Sequence, residues 1–251
     1  MEKIPAYLVN TAIKNVIRIL CQVNDAQLSR IPDCGPLILV VNHINFLDVP
    51  LIYTHLLPRP ITGLAKAETW DNPAMKPLFN MWGAIPITRG EADVTALRLS
   101  LEALAAKKIL AIAPEGTRSH TGILQKGKPG VVVLALKSGA PILPIAIYGG
   151  ESFSKNVVRF QRTAFNFVVG YPFYIDAKAI KITKQIRQRI TDEIMYQLAA
   201  LLPSGYRGYY SDLNKATEDY LLFPPTSCSN ISSTHKQAPG NWLSDKNVGL
   251  V

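Results

Sequence analysis

Apolar and polar positions alternate in blocks along this chain. From Ala6 to Gln22 the period is helical: Asn10, Lys14, Arg18 and Gln22 fall four apart as a polar stripe, with Thr11 and Asn15 beside it. Leu8, Val9, Ala12, Ile13, Val16, Ile17, Ile19 and Leu20 cover the rest of that helix. Short apolar runs follow, each read as a buried strand: Leu37–Val41, Ile61–Ala65, Ala84–Thr88, Ile109–Ala113, Ile142–Ile147 and Phe165–Tyr171. Helical segments separate several of them. Asp93 caps one that runs to Ala106, with Val94, Leu97, Leu101 and Leu104 on one face. Val131–Ser138 is a shorter one, ended by Gly139 and Pro141. Thr183–Leu202 carries Ile186, Ile190, Ile194 and Leu198 in register and stops at Pro203. Strands alternating with helices predict an α/β fold with a largely parallel or mixed sheet flanked by helices.

The pattern divides the chain into an N-terminal amphipathic segment (1–30), a main α/β domain (31–223) and a Ser-, Pro-, Asn- and Thr-rich tail without period (224–251) that is expected to be disordered. Two roles are open to the first helix. One face of it packs on its own domain, or Lys14 and Arg18 meet lipid headgroups.

Composition narrows the classes. In 251 residues, 48% are apolar and 18% charged, which supports a full core and excludes a chain disordered throughout. Three cysteines without CxxC spacing exclude a disulfide scaffold, and the dispersed histidines offer no metal-ligand spacing. A net charge of +9 favours anionic partners. Its Lys and Arg residues are scattered rather than clustered among aromatics, which argues against nucleic acid. No membrane span is expected: the apolar stretch Pro36–Leu57 contains Asn42, His43, Asn45 and Asp48, and an Asp at mid-bilayer costs roughly 2.5–3.5 kcal/mol. Nor does the start read as a leader peptide.

Chemistry gathers directly after strands, where open α/β sheets hold their ligands. Asn42-His43-Ile44-Asn45-Phe46-Leu47-Asp48 follows the first strand. Five residues on a regular helix lie roughly 140° apart. His43 and Asp48 therefore meet only if the His sits in the strand-to-helix turn and the Asp in the first helical turn. A paired imidazole of that kind suits a general base, or a buried His satisfied by a local carboxylate. Pro114-Glu115-Gly116-Thr117-Arg118-Ser119 follows another strand and puts a carboxylate, two hydroxyls and a guanidinium into a tight turn. Gly83-Ala84-Ile85-Pro86-Ile87-Thr88-Arg89 delivers a second Arg at a strand end.

Taken together these motifs resemble the glycerolipid acyltransferase family, best known for the PlsC-like 1-acylglycerol-3-phosphate acyltransferases. NHxxxxD is matched by Asn42-His43 to Asp48, and a Gly-led strand ending in Arg by Gly83 to Arg89. PEGTRS is matched in full by Pro114 to Ser119, and a proline-bracketed strand by Pro141-Ile142-Leu143-Pro144. All four stand in the family's order, over roughly Pro36 to Tyr171. Asn45 departs from the pattern, which often has Ser there.

The resemblance implies an acyltransferase that moves a fatty acyl group from an acyl thioester, on acyl carrier protein or coenzyme A, to the free hydroxyl of lysophosphatidic acid, without a cofactor or metal. It implies His43 as base, Asp48 as its orienter, and Lys66, Arg89, Glu115, Gly116, Thr117 and Arg118 at the substrate. Glu115 is left open between bonding an Arg and bonding an acceptor hydroxyl. Because the acceptor is a lipid, the resemblance also turns the first helix toward an anionic membrane surface and places the protein peripherally on the cytoplasmic face. Other lysolipid or glycerol-phosphate acceptors, and a non-catalytic lipid-binding role, are the alternatives.

Overall fold

Every residue of Leu37–Val41 is apolar and buried, and neighbouring side chains on a strand point to opposite faces. Ile38 and Val40 accordingly enter one core, and Leu37, Leu39 and Val41 another. In the computed structural model, which describes residues 5–88, 93–177 and 181–232, this strand is the middle of a seven-stranded sheet with helices on both faces.

Helix α1 (Ala6–Leu20) leads into strand β1 (Cys21–Asn24). Then come β2 (Leu37–Val41), α2 (Asp48–His55), β3 (Ile61–Lys66), α3 (Met75–Met81), β4 (Ile85–Ile87), α4 (Val94–Ala105) and β5 (Ile109–Ile112). They are followed by α5 (Gly130–Ser138), β6 (Ile142–Tyr148), α6 (Phe153–Val158), β7 (Thr163–Val169), β8 (Tyr174–Ile175), α7 (Lys184–Ala200) and β9 (Leu221–Leu222). Strand order in the main sheet is β1-β7-β6-β2-β5-β3-β4. From β6 to β4 all strands run parallel, with Leu37 opposite Ile109 and Ile38 opposite Ile142. Strand β7 runs antiparallel to β6, and β1 parallel to β7. The fold is thus the expected α/β architecture with a mostly parallel sheet. Residues from α4, α5 and α7 fill the core on one face, and residues from α1, α2 and α6 the core on the other.

Caps fall where the sequence puts them. Asp93 accepts a hydrogen bond from the Ala96 N–H at 2.8 Å and starts α4, and Gly139, at φ 64°, closes α5 in the left-handed conformation.

Several element ends differ from the sequence reading by one or two residues, β7 (Thr163–Val169 rather than Phe165–Tyr171) among them, and three differences change the layout. The first helix, expected to reach Gln22, stops at Leu20, because Cys21–Asn24 pairs with Thr163–Asn166 as an edge strand. Residues 21–30, expected to belong with the N-terminal segment, are therefore part of the sheet domain, and Gln27 Oε1 accepts from the Val169 N–H at 3.0 Å. The tail does not begin at 224: Asn230 is 1% exposed and bonds Tyr171 and Gln197, so 224–232 packs on the domain. Residues 233–251 lie outside the described residues.

Candidate active site

Strand β2 ends in polar residues whose side chains replace main chain. Asn42, 1% exposed, donates its amide to the Ile147 carbonyl at 2.7 Å and accepts from the Ile147 N–H at 2.8 Å. One side chain satisfies both main-chain groups of the neighbouring strand just where β2 leaves it. The turn that follows is closed by Asp48, the first residue of α2. Asp48 Oδ2 accepts from the Ile44 N–H at 2.6 Å and the Asn45 N–H at 2.9 Å, and lies 2.8 Å from His43 Nδ1. His43 thus sits in the turn and Asp48 in the first helical turn, the arrangement that lets a five-residue spacing close. An acceptor-only partner puts the ring proton on Nδ1 and leaves the Nε2 lone pair free. Asn45 earns its place in the turn: Nδ2 donates to the Gly150 carbonyl at 2.6 Å and Oδ1 accepts from the Leu47 N–H at 2.8 Å.

The loop after β5 is laid against this turn. The Ser119 N–H donates to the His43 carbonyl at 2.8 Å, and the His120 N–H to the Ile44 carbonyl at 3.0 Å. Arg118, one residue before the first of these rungs, is exposed, as is Thr117. Glu115 is 2% exposed, and its two oxygens are both spent on main chain: Oε1 accepts from the His43 N–H at 2.8 Å and Oε2 from the Gln125 N–H at 2.9 Å. Main-chain N–H groups, not an Arg, hold it among the described residues. Burial pushes its carboxyl from 4.5 up to about 7, against the pull of those two donors. Gly116 takes φ +69°, and a β-carbon there would meet the Lys128 ammonium at 3.0 Å. Lys128, which the sequence reading missed, therefore brings another cation to the same loop. Its signal lay in Gln125-Lys126-Gly127-Lys128-Pro129-Gly130, a glycine-flanked basic pair just before α5.

Lys66 ends β3, two strand spacings from β2, roughly 10 Å away. Its ammonium pairs with Glu68 at 3.0 Å and is half exposed. Arg89 lies outside the described residues. The strand that leads to it, β4, runs beside β3 with Ile87 opposite Lys66. An apolar cleft of about 80 Å³ opens beside His43 and Asp48, between the ends of β2, β3 and β5 and helix α2. Small residues, Gly63, Ala65, Ala111 and Ala113, line it beside Val41, Leu64 and Ile112, and Phe79 also lines it. Among the described residues no group of His, Cys, Asp and Glu side chains gathers to hold a metal ion.

An imidazole with one nitrogen tied to a carboxylate is an arrangement that can take a proton from a bound hydroxyl. Cys34 lies at the far end of β2, and Cys21 is fully buried, its thiol pushed up to about 11 by that burial. The comparisons agree with this class. The Acyltransferase family model matches residues 22–148, and the chain belongs to that family. It is similar to a 1-acyl-sn-glycerol-3-phosphate acyltransferase of Borreliella burgdorferi, 28% identical over 178 residues, covering 68% of each chain. A protein of the same name from Bacillus subtilis is 24% identical over 65% of this chain and 79% of its own. Lyso-ornithine lipid O-acyltransferase of Pseudomonas aeruginosa is 32% identical over 45% of this chain and 43% of its own. Among solved structures, the PlsC acyltransferase of Thermotoga maritima superposes with a TM-score of 0.56 at 22% identity, covering 75% of this chain and 76% of that one. That likeness concerns the fold.

Proposed function

We propose that this acyltransferase moves a fatty acyl group from an acyl thioester to the free hydroxyl of 1-acylglycerol 3-phosphate, giving phosphatidic acid. The observation that carries the reading is the His43–Asp48 pair at 2.8 Å with the Arg118 loop laddered onto the same turn. His43 Nε2 takes the hydroxyl proton as the acceptor oxygen attacks the thioester carbonyl. The tetrahedral intermediate collapses, the C–S bond breaks, and the thiolate leaves; with a pKa near ~8.5 for a cysteine-like thiol it needs little acid help. Asp48 holds the ring and stabilises the imidazolium. Arg118, with Arg89, Lys66 and Lys128, supplies charge for the acceptor's phosphate, and the apolar cleft takes an acyl chain. Glu115 acts on the protein, binding the base's turn to the 115–125 loop, rather than on the substrate. In this reading the chemistry uses no cofactor or metal, and the donor is acyl carrier protein or coenzyme A thioester.

A lipid acceptor requires the site to reach a bilayer. No helix among the described residues is long and apolar enough to cross one. Peripheral attachment to an anionic, cytoplasmic-side membrane surface, partly through α1, meets that requirement.

Mass-spectrometric product analysis tests the reading, with lysophosphatidate as acceptor and both thioesters as donors. Phosphatidic acid is expected. The relative named for lyso-ornithine lipid makes that molecule the first competitor to include. Acylation of it alone would replace the acceptor, and vesicle binding without turnover on any acceptor would replace catalysis by lipid binding.

A further inference from the structure

Helix α6 starts against the catalytic turn and ends in open space. Phe153, its first residue, is 6% exposed and packs edge-on against Phe46 of the His43 turn, ring centroids 5.8 Å apart. At the other end Val158 is 77% exposed and Phe160 is 99% exposed. Phe160 adopts φ 54°, a left-handed conformation that a residue with a β-carbon enters against resistance. Among the described residues nothing covers the ring that this conformation holds outward. The segment Phe153–Arg162 carries Lys155, Arg159 and Arg162 and no acidic residue. Arg162 fixes the base of the turn by donating to the carbonyls of Arg18 at 2.7 Å and Cys21 at 2.6 Å, where α1 passes into β1.

Two further facts orient this turn. Strands β7 and β1 run opposite to β6, so their starting ends lie at the rim where β2, β5 and β6 finish and His43 sits. On α1, which reaches the same rim, Leu8, Ala12, Val16 and Ile19 form one exposed apolar stripe, with Ile19 71% and Val16 53% exposed.

We propose that the turn between α6 and β7 inserts into an anionic lipid bilayer, Phe160 entering the acyl boundary while Lys155 and Arg159 meet headgroup phosphates. This contact stands beside the α1 stripe and presents the His43 rim to the lipid surface. A convex tip, apolar at its apex and cationic along its flank, fits a deformable lipid surface; a protein partner would have to bring a pocket of its own. The inference rests on the reading that the acceptor is held in a bilayer, but its test does not depend on turnover.

The probe is Phe160→Trp in the full chain, with vesicles of phosphatidylcholine alone or mixed with phosphatidylglycerol, and wild-type emission subtracted for the native indoles. With anionic vesicles the new indole's emission moves to the blue and is quenched by lipids brominated in their chains. Unchanged emission while the protein sediments with those vesicles overturns the proposal. Phe160→Ser lowers vesicle partitioning about 10- to 30-fold. Its thermal midpoint and its turnover of a monomerically dispersed short-chain lysophosphatidate stay at wild-type values. Quenching in a protein that acylates no acceptor leaves the surface standing and removes the acceptor reading. Normal transfer by a Phe160→Ser variant that binds vesicles like wild type removes the surface alone. If the substitution raises the KM for an acidic carrier-protein donor and leaves vesicle binding intact, the tip belongs to the donor and the lipid proposal is overturned.

Discussion

Ser119 and His43 are joined main chain to main chain, N–H to carbonyl, at 2.8 Å. The bond couples two loops that come from different strands, one bearing the base and one bearing Arg118. A change in either loop is therefore felt at the other, and the substitutions that separate their roles are those confined to side-chain tips.

His43→Ala removes the base and leaves the turn's main-chain bonds to Asp48 and Glu115 in place. Transfer is expected to fall by about 10²–10⁴, with the thermal midpoint close to wild type. Steady-state rates beside a melting curve check it, and an unaltered rate would discard the mechanism. Asp48→Asn offers His43 a donor where it had an acceptor and weakens the hold on the Ile44 and Asn45 N–H groups. Both rate and stability should drop in that variant.

Arg118→Ala exposes nothing, because the residue already lies in solvent. A charge-assisted bond of about 1.5–3 kcal/mol to the acceptor phosphate is lost. The acceptor KM should rise by about one to two orders of magnitude, while the donor KM stays put. Measuring both constants in parallel decides it; an effect on the donor alone reassigns the residue.

Glu115 gives a pH signature. Its carboxyl is raised from 4.5 to about 7 by burial, so between those values the folded chain binds more protons than the unfolded one. Its contribution to stability is full below 4.5 and is lost as the pH rises through 7. Glu115→Gln carries no such proton. The stability of wild type relative to the variant should fall from pH 4.5 to 7 in urea denaturation, and a flat difference would show that the carboxyl does not titrate there.

Asn42→Ala strands the Ile147 N–H and carbonyl in a buried place. Each orphaned group costs about 1–3 kcal/mol. Unfolding midpoints should shift accordingly, and transfer should fall because the turn that begins at His43 loses its foundation. Asn42→Asp, which keeps the acceptor and loses the donor, is expected to lie between.

Much of this was legible beforehand because periodicity and chemistry pointed the same way. Leu37–Val41 is wholly apolar since both of its faces are covered, and Asp93 and Gly139 mark helix ends by local chemistry alone. Edge strand β1 was not legible: Gln22 and Asn24 face solvent, so only Cys21 and Val23 carry a strand signal, and the helical period of α1 runs straight over them. Residues 224–232 escaped for a different reason. They are held by hydrogen bonds from Asn230, which leave no hydrophobic period to read. Within the site, motif spacing brought out His43, Asp48 and Arg118. That both oxygens of Glu115 are consumed by backbone, and that Lys128 folds over Gly116, depend on contacts between separate loops, which spacing along one chain does not encode.

The amide of Asn42 has one more consequence. By standing in for a rung of main chain, it lets the middle strand stop early without leaving β6 thirsty for a partner. The residue that performs the chemistry is thereby released from the lattice of the sheet while still anchored within one bond of its most rigid part. Loops that leave other strands of the rim can be rebuilt for a different headgroup while that footing stays fixed.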